Sequence, residues 1–191
     1  MKTTREIEKI KAVALFILKH TGTSDLISLY KRMYFSQKVY LARYGRPIFE
    51  DSFRARPRGP VPSFTAHALS CAFSGNPETT PEVRHFNDAF AFNETNGIKF
   101  VSSILEPDLK KISGMEQKTL LDIIDQTKNL SSDELSELSH DDAWATAFNR
   151  SKNDPADNYI SMVNMAKAGD ASEDAINYIR QRQLMSSFAA G

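Results

Sequence analysis

The sequence predicts a mainly α-helical fold of the α+β class, a compact helical domain of about six to eight helices with a short β-hairpin or small antiparallel sheet. Apolar residues recur at three- and four-residue spacing over most of the chain, which is the period of an amphipathic helix. Two segments break this period, one rich in proline and one containing an Asn-Gly pair. With 191 residues, 41% hydrophobic and 25% charged, the composition is that of an ordinary globular protein.

The first two elements are predicted helices with recognisable ends. Side chains that can accept a backbone N–H bond precede each apolar run, and glycine or proline follows it. The predicted caps and stops are Thr3 or Thr4 and Gly22 for the first helix, and Ser24 or Asp25, Gly45 and Pro47 for the second.

The proline-rich segment, residues 47–62, is predicted to be an extended or hairpin-like connection. Its four prolines cannot donate backbone hydrogen bonds, which excludes a continuous helix. Arg54, Arg56 and Arg58 alternate along it, so we expect their side chains to project to one side, as contacts to phosphate or carboxylate require.

The remaining chain is predicted to be helical apart from one loop and one hairpin. A short helix begins at Ser63, and glycine and proline predict an exposed loop over residues 75–81. In the ambiguous stretch 83–107, Asn96-Gly97 predicts a turn between two short strands. Further helical patterns cover residues 113–129, 132–138, 143–148, 160–165 and 175–179.

Two parts of one domain are predicted along the chain. Residues 1–150 form the main domain, and residues 151–191 form a C-terminal helical extension packed on it. No internal repeat or sustained heptad pattern suggests a solenoid or a coiled coil.

Charge is balanced overall but not along the chain. Lys plus Arg and Asp plus Glu each number 24, so no net charge draws the protein to nucleic acid or to anionic membranes. Residues 31–58 contain eight basic and two acidic residues, whereas residues 106–174 contain fifteen acidic and seven basic ones. Either region could bind a partner of opposite charge, or the two could neutralise each other.

Cysteine content and hydropathy predict a cytoplasmic protein. The single cysteine, Cys71, excludes an internal disulfide and fits a reducing compartment. The apolar run at residues 12–18 is too short to span a bilayer, so no membrane segment is expected.

No common enzyme signature is present, so we expect a protein without catalytic residues, cofactor or metal. The sequence has no Walker loop, dinucleotide-binding glycine motif, HExxH or GxSxG. The four histidines are far apart and have no second ligand at metal spacing. His140, flanked by Ser139 and Asp141 and preceded by Glu137, could move a proton. A histidine between two helices is more often structural, with Trp144 covering it.

A protein-contact surface is the alternative that the sequence favours. Tyr30, Tyr34 and Tyr40 combine large contact area with a polar tip, although they could equally lie in the core. We expect them to bind a partner together with Arg54, Arg56 and Arg58.

Several short motifs follow one another along the chain in an order that is typical of one protein family. Residues 33–37 and 40–49 combine aromatic residues with a Gly-x-Pro-Ile-Phe turn, residues 53–55 read Phe-Arg-Ala, and residues 59–61 read Gly-Pro-Val. Residues 135–140, Leu-Ser-Glu-Leu-Ser-His, precede Trp144. Over roughly residues 9–148 this order resembles the SocA-like antitoxin family, the Panacea domain of the DUF4065 type. Arg56 departs from it by standing where an aromatic residue is common.

The resemblance implies an antitoxin that binds and neutralises a cognate toxin protein, in some members as an adaptor to an ATP-dependent protease. It implies no catalytic residue. The motif positions with an expected structural role are Phe35, Tyr44, Gly45, Pro47, Phe49, Gly59, Pro60, Val61, His140 and Trp144.

Three alternatives stay open. One is a phage or mobile-element protein that binds a host factor on the same scaffold. Another is a hydrolase centred on His140. The third is a DNA-binding regulator that uses the basic segment, although no recognition helix or stacking motif accompanies the arginines.

Overall fold

The structure is a computed structural model that describes residues 2–75 and 79–189, with side chains described through residue 185. The predicted fold class is confirmed: this part of the chain is mainly helical, with two small antiparallel sheets. The helices are α1 (Thr4–Thr21), α2 (Leu26–Tyr44), α3 (Ser63–Ser74), α4 (Pro81–Asn87), α5 (Gly114–Thr127), α6 (Ser132–Leu138), α7 (Asp142–Ser151), α8 (Met162–Lys167) and α9 (Glu173–Ala189). A 3-10 turn covers Leu109–Lys111.

Both N-terminal helices begin and end where the sequence predicts. Thr3 caps α1 in a reciprocal capping box with Glu6, and Asp25 caps α2 by accepting the Ser28 N–H. Gly22 follows α1, and Gly45 follows α2 in the left-handed conformation, φ +63°. These local signals fix the lengths of the two central helices.

Helix α2 is the centre of the domain. It packs against α1, α5, α6, α8 and α9, and also contacts β3 of the second sheet described below. Because neighbours surround it, its polar side chains at positions 31, 32, 36 and 37 are buried together with its apolar ones. Each of these polar side chains makes a hydrogen bond, two of them to another element and one to the turn that follows α2, so α2 also holds its neighbours by polar contacts.

The first sheet contains the predicted Asn-Gly hairpin. Strands β4 (Phe90–Thr95) and β5 (Ile98–Ser103) pair antiparallel, with Phe92 opposite Val101. A two-residue strand β1 (Ser24–Asp25) adds to β5, giving the order β1-β5-β4. Two features differ from the prediction: Ser24 pairs in a sheet besides preceding α2, and residues 81–87 form α4. Thr80 caps α4 and Pro81 occupies its first turn, a local signal that apolar periodicity does not contain.

The second sheet contains the proline-rich segment. Strands β2 (Phe53–Arg56) and β3 (Gly59–Pro62) form the predicted hairpin, and β6 (Tyr159–Ile160) pairs with the other edge of β2. The helical interpretation of Ile160 is therefore wrong, because the residue pairs with Phe53. This pairing joins residues more than a hundred positions apart, which periodicity cannot reveal.

The chain beyond residue 150 packs on the same core. Strand β6 completes the second sheet, and α8 and α9 contact α2. The division at residue 150 stays a prediction. The loop predicted over residues 75–81 lies partly outside the described residues, which omit positions 76–78. Within the described chain, no helix is both long and apolar enough to cross a membrane.

Candidate protein-binding face

The β2–β3 hairpin carries all three predicted arginines, and its backbone is held by buried or half-buried side chains from other elements. Three side chains each donate one hydrogen bond to a hairpin carbonyl, and the three carbonyls are two positions apart along the chain. The three bonds are Trp144 Nε1 to Arg56 O (2.9 Å), Ser136 Oγ to Arg58 O (2.8 Å) and Lys31 Nζ to Pro60 O (2.8 Å). The tip of the hairpin is therefore fixed from three directions, by α7, α6 and α2.

Gly59 is required at this tip by both conformation and space. Its φ of +89° is one that side chains with a Cβ rarely adopt. A Cβ here would lie 2.2 Å from Ser139 Oγ and 2.8 Å from Lys31 Nζ. Pro60 is buried beside it, and Val61 is half-buried opposite Arg54. The Gly-Pro-Val motif is thus the close contact between the hairpin and the helices below it.

Lys31 is a buried amine without an acidic partner among the described residues. Its side chain is 1% exposed, and no carboxylate of the described chain lies within 4 Å of its Nζ. Burial lowers the pKa of Lys31 from 10.5 to about 7, and the positive charge of Arg58 acts in the same direction. The Pro60 carbonyl is its hydrogen-bond acceptor, and this bond is available to the neutral amine as well.

We expect the stability of the protein to rise with pH between 7 and 9 because of Lys31. In this range the unfolded chain binds a proton at Lys31 that the folded chain has largely released, so raising the pH favours the folded state. The free energy of unfolding should increase by on the order of 2 kcal/mol. Urea unfolding at pH 7, 8 and 9 measures this slope.

The Lys31→Met variant is the control for that slope, since methionine fills similar volume without a titratable group. Its stability should vary much less over the same range. The range ends at pH 9 because burial raises the pKa of Tyr30 and Tyr34, which adds an opposite slope near pH 10. Equal slopes in both proteins would contradict the assignment to Lys31.

The three arginines differ in their surroundings. Arg54 stacks on Tyr159, with its guanidinium carbon 4.1 Å from the ring centroid, and donates to the Tyr159 hydroxyl and to Asn158 Oδ1 (3.2 Å). Arg56 is exposed on the same face of β2. Arg58 lies in the turn, not on the strand, and forms an exposed ion pair with Asp133. The predicted alternation therefore holds for Arg54 and Arg56, and Arg58 extends from the tip.

A stack of aromatic rings lies beside the hairpin. His140 and Trp144 have ring centroids 3.9 Å apart at 20°, and Trp144 and Phe148 are 4.8 Å apart at 14°. His140 precedes the cap of α7, and Trp144 and Phe148 lie on the helix. The three residues are four positions apart, which places their rings on one side of the helix as a ladder. All three rings are half-buried. The ladder is attached to the hairpin that carries the arginines, because Trp144 donates a hydrogen bond to the backbone carbonyl of Arg56.

His140 has few polar contacts for a catalytic group. Its Nδ1 lies 3.9 Å from Glu137 Oε2, beyond hydrogen-bond length, and its Nε2 is buried with no partner in the described chain. Asp141, its neighbour in the sequence, binds Tyr34 and Lys38 instead. Among the described residues, no group of three or more His, Cys, Asp or Glu side chains could hold a metal ion.

Asp141 connects the aromatic ladder to the core. Its carboxylate accepts the Tyr34 hydroxyl at 2.9 Å, Lys38 Nζ at 2.9 Å and the backbone N–H of Trp144 at 3.1 Å. The last of these bonds caps α7, which makes Asp141 both a cap and the partner of a buried phenol.

The tyrosines lie in the core, which corrects the expectation that they offer a contact surface. Tyr30 is 7% exposed, and Tyr34 and Tyr40 are fully buried. Tyr44 is half-buried and packs on Tyr40, with ring centroids 4.6 Å apart. The alternative that the sequence left open, core packing, is the one realised, because neighbouring elements surround α2 on all sides. Partner binding by the arginines stays a prediction.

The Gly-x-Pro-Ile-Phe turn is held by Gln37, the last residue of the motif at positions 33–37, for which the sequence predicted no role of its own. Gln37 accepts the Ile48 N–H at 2.9 Å and donates to the Phe49 carbonyl at 3.0 Å. Phe49 is buried, as is Phe35 on α2. The signal that could have found Gln37, as well as Lys31, is a polar residue on a helix face that is otherwise apolar.

Two further motif positions pack within this turn. At Gly45, a Cβ would lie 2.6 Å from Tyr178 Cδ1 of α9, so the glycine allows the C-terminal helix to approach. Pro47 is half-buried two residues later. The motif thus brings the end of α2 against α9.

Comparison with known proteins gives one match. The family model described as "Antitoxin SocA-like, Panacea domain" matches residues 29–145, from the first turn of α2 into α7. This region contains the β2–β3 hairpin, Gln37, Asp141 and Trp144. No curated protein and no solved structure matches the chain. The matched region covers more than half of the 191 residues, and the chain therefore belongs to the SocA-like antitoxin family and carries a Panacea domain.

Proposed function

We propose that the protein binds and neutralises a cognate toxin protein, and that it does so through the arginine hairpin face. This face consists of Arg54, Arg56, Arg58, Trp144 and Phe148. Membership of an antitoxin family supports the role, and the three-point attachment of the hairpin supports the location.

The attachment matters because it lowers the entropy cost of binding. A hairpin tip that is free in solution would have to become ordered when a partner binds. Here the backbone of residues 56–60 is already bonded to three helices, so the arginines project from a rigid support. Arg54 is further restrained by stacking on Tyr159. Arginine and tryptophan are also among the residue types most enriched in the positions that dominate binding energy at protein interfaces.

The charge of the face indicates an acidic surface on the toxin. Arg56 has no acidic partner within 4 Å in the described chain. Arg58 pairs with Asp133, and both side chains of this ion pair are exposed to solvent. An exposed ion pair contributes little to stability, so a carboxylate of the toxin can replace Asp133 at low cost. Guanidinium groups bind carboxylates by paired hydrogen bonds, which favours arginine over lysine at such positions.

Neutralisation through this face can take two forms. The bound protein can cover the active surface of the toxin, or it can deliver the toxin to an ATP-dependent protease. The amount of toxin in growing cells distinguishes them, since delivery lowers the toxin level whereas direct inhibition leaves it unchanged.

The proposal is tested by co-expression with the product of the neighbouring gene. Wild-type protein should restore growth, and the Arg54→Glu, Arg56→Glu double variant should not, with binding weakened at least about tenfold, or about 1.4 kcal/mol. Reversal of charge should repel the acidic surface and remove the guanidinium contacts. Arg180→Glu, an exposed charge reversal on α9, is the control. Restored growth with the double variant would contradict the proposed face.

A further inference from the structure

A groove lies between the turns of the two hairpins, at the start of α2. It has a volume of about 320 Å³. Its apolar surface comes from Leu26, Ile27, Tyr30 and Ile98, and its charged edge from Arg58 and Lys99. Because Arg58 also belongs to the arginine hairpin face, the groove continues that face toward the β4–β5 turn. We call it the two-turn groove.

Ile98 makes the apolar part of the groove unusual. It is the first residue of β5, directly after the Asn96-Gly97 turn, and 52% of it is exposed. Its cross-strand neighbour is Thr95, which is also exposed, so β4 offers no cover for the isoleucine. Ile27 faces the same groove from α2 and is half-buried. An apolar side chain placed between the two would remove both from water.

The cations around the groove have only exposed acidic neighbours: Glu94 stands opposite Lys99 across β4 and β5, and Asp133 pairs with Arg58. Lys99 has no carboxylate within 4 Å in the described chain, and its Nζ lies 5.2 Å from the centroid of the Phe73 ring. Arg58 has only the exposed Asp133 as an ionic partner among the described residues. Lys31 adds a buried amine behind the Arg58 turn, without an acidic partner in that same part of the chain.

The acidic side chain that lines the groove is already bound. Asp25 accepts the Ser28 N–H at 2.9 Å and the Ser28 hydroxyl at 2.6 Å as the cap of α2. It keeps its negative charge but forms an ion pair within 4 Å with neither Arg58 nor Lys99 in the described chain. The lining thus carries two cations against one carboxylate, which favours negative charge from outside the molecule.

We propose that the two-turn groove receives a segment of the toxin in which a large apolar side chain is flanked by carboxylates. The apolar side chain lies between Ile27 and Ile98, and the carboxylates bind Arg58 and Lys99. This inference rests on the proposed function and adds to it the chemistry of the segment that is recognised.

The groove can be tested without the toxin, by selecting from a displayed library of random dodecapeptides on the immobilised full chain. We expect enriched peptides to contain Leu, Ile, Phe or Met flanked by Asp or Glu. Their affinity should fall at least about tenfold for Ile98→Glu and for the Arg58→Glu, Lys99→Glu double variant. Ile104→Glu is the matched control, because it makes the same change at a residue that is 61% exposed beyond the far end of β5.

The outcomes separate the two proposals. Enrichment without acidic residues, no enrichment, or binding that survives Ile98→Glu would overturn the groove. In the growth assay, loss of neutralisation by the Arg54→Glu, Arg56→Glu variant but not by Ile98→Glu would retain the hairpin face and overturn the groove. Selected acidic peptides that depend on Ile98, combined with no neutralisation by wild-type protein, would retain the groove and overturn the antitoxin proposal for the neighbouring gene.

Discussion

Replacing Gly59 by alanine is expected to lower the free energy of unfolding by about 3 to 5 kcal/mol. Two costs combine at this position. The φ of +89° is strained for alanine by roughly 1 to 3 kcal/mol. The new methyl group would also lie 2.2 Å from Ser139 Oγ and 3.1 Å from Lys31 Cε, and such overpacking costs typically about 1 to 3 kcal/mol. Urea unfolding at pH 7 measures the total.

Two control variants separate these costs. Gly22 has a φ of +73°, and a Cβ at this position would have no atom within 4 Å, so Gly22→Ala carries the conformational cost alone. It should lose only about 1 to 3 kcal/mol, the cost of a strained backbone conformation by itself. Adding Ser139→Ala to Gly59→Ala removes the closest contact and should recover part of the loss. If Gly59→Ala and Gly22→Ala lose equal stability, the close contact between hairpin and helices is not what requires the glycine.

Replacing Asp141 by alanine is expected to have an effect of similar size, about 3 to 5 kcal/mol. The substitution removes the acceptor of the buried Tyr34 hydroxyl, the ionic partner of Lys38 and the cap of α7. The ion pair is half-buried, with both side chains 15% exposed, so its loss costs less than the about 3 to 5 kcal/mol of a fully buried pair. The buried Tyr34 hydroxyl left without an acceptor and the lost cap of α7 supply the rest. Thermal unfolding followed by circular dichroism measures the change.

A double-mutant cycle with Tyr34→Phe tests whether the phenol is part of this loss. Removing both partners should cost less than the sum of the two single changes, because no buried hydroxyl is left without an acceptor. Asp125→Ala is the surface control: its ion pair with Lys128 is exposed, so it should change stability by less than about 0.5 kcal/mol. Strict additivity in the cycle would show that the cap and Lys38 account for the effect.

These two residues link the stability of the domain to its proposed binding face. Gly59 lets the hairpin tip lie against Lys31 and Ser139, and Asp141 fixes the start of α7, which carries Trp144. Both variants should therefore weaken toxin neutralisation by displacing the arginines. Arg56→Glu, in contrast, should reduce binding without changing stability, since its side chain is exposed.

Local signals account for the parts of the fold that could be predicted. The Thr3 cap of α1 and the Asn96-Gly97 turn depend on neighbours in the sequence, and the structure confirms both. Strand β6 could not be predicted in this way. Tyr159 pairs with Arg54, and two residues pairing over so long a separation are stabilised only when the rest of the domain brings them together.

The sequence by itself determined the helical fold class, the two hairpins, the family motifs and the positions of the three arginines along the chain. The tertiary structure decided which of the candidate side chains are available to a partner. A helical period does not tell whether one side or every side of a helix is covered, and α2 is covered on every side over residues 28–37. For this reason Tyr34 and Tyr40 lie in the core, Lys31 holds the β2–β3 hairpin and Gln37 the turn after α2, and Arg56 and Arg58 remain exposed.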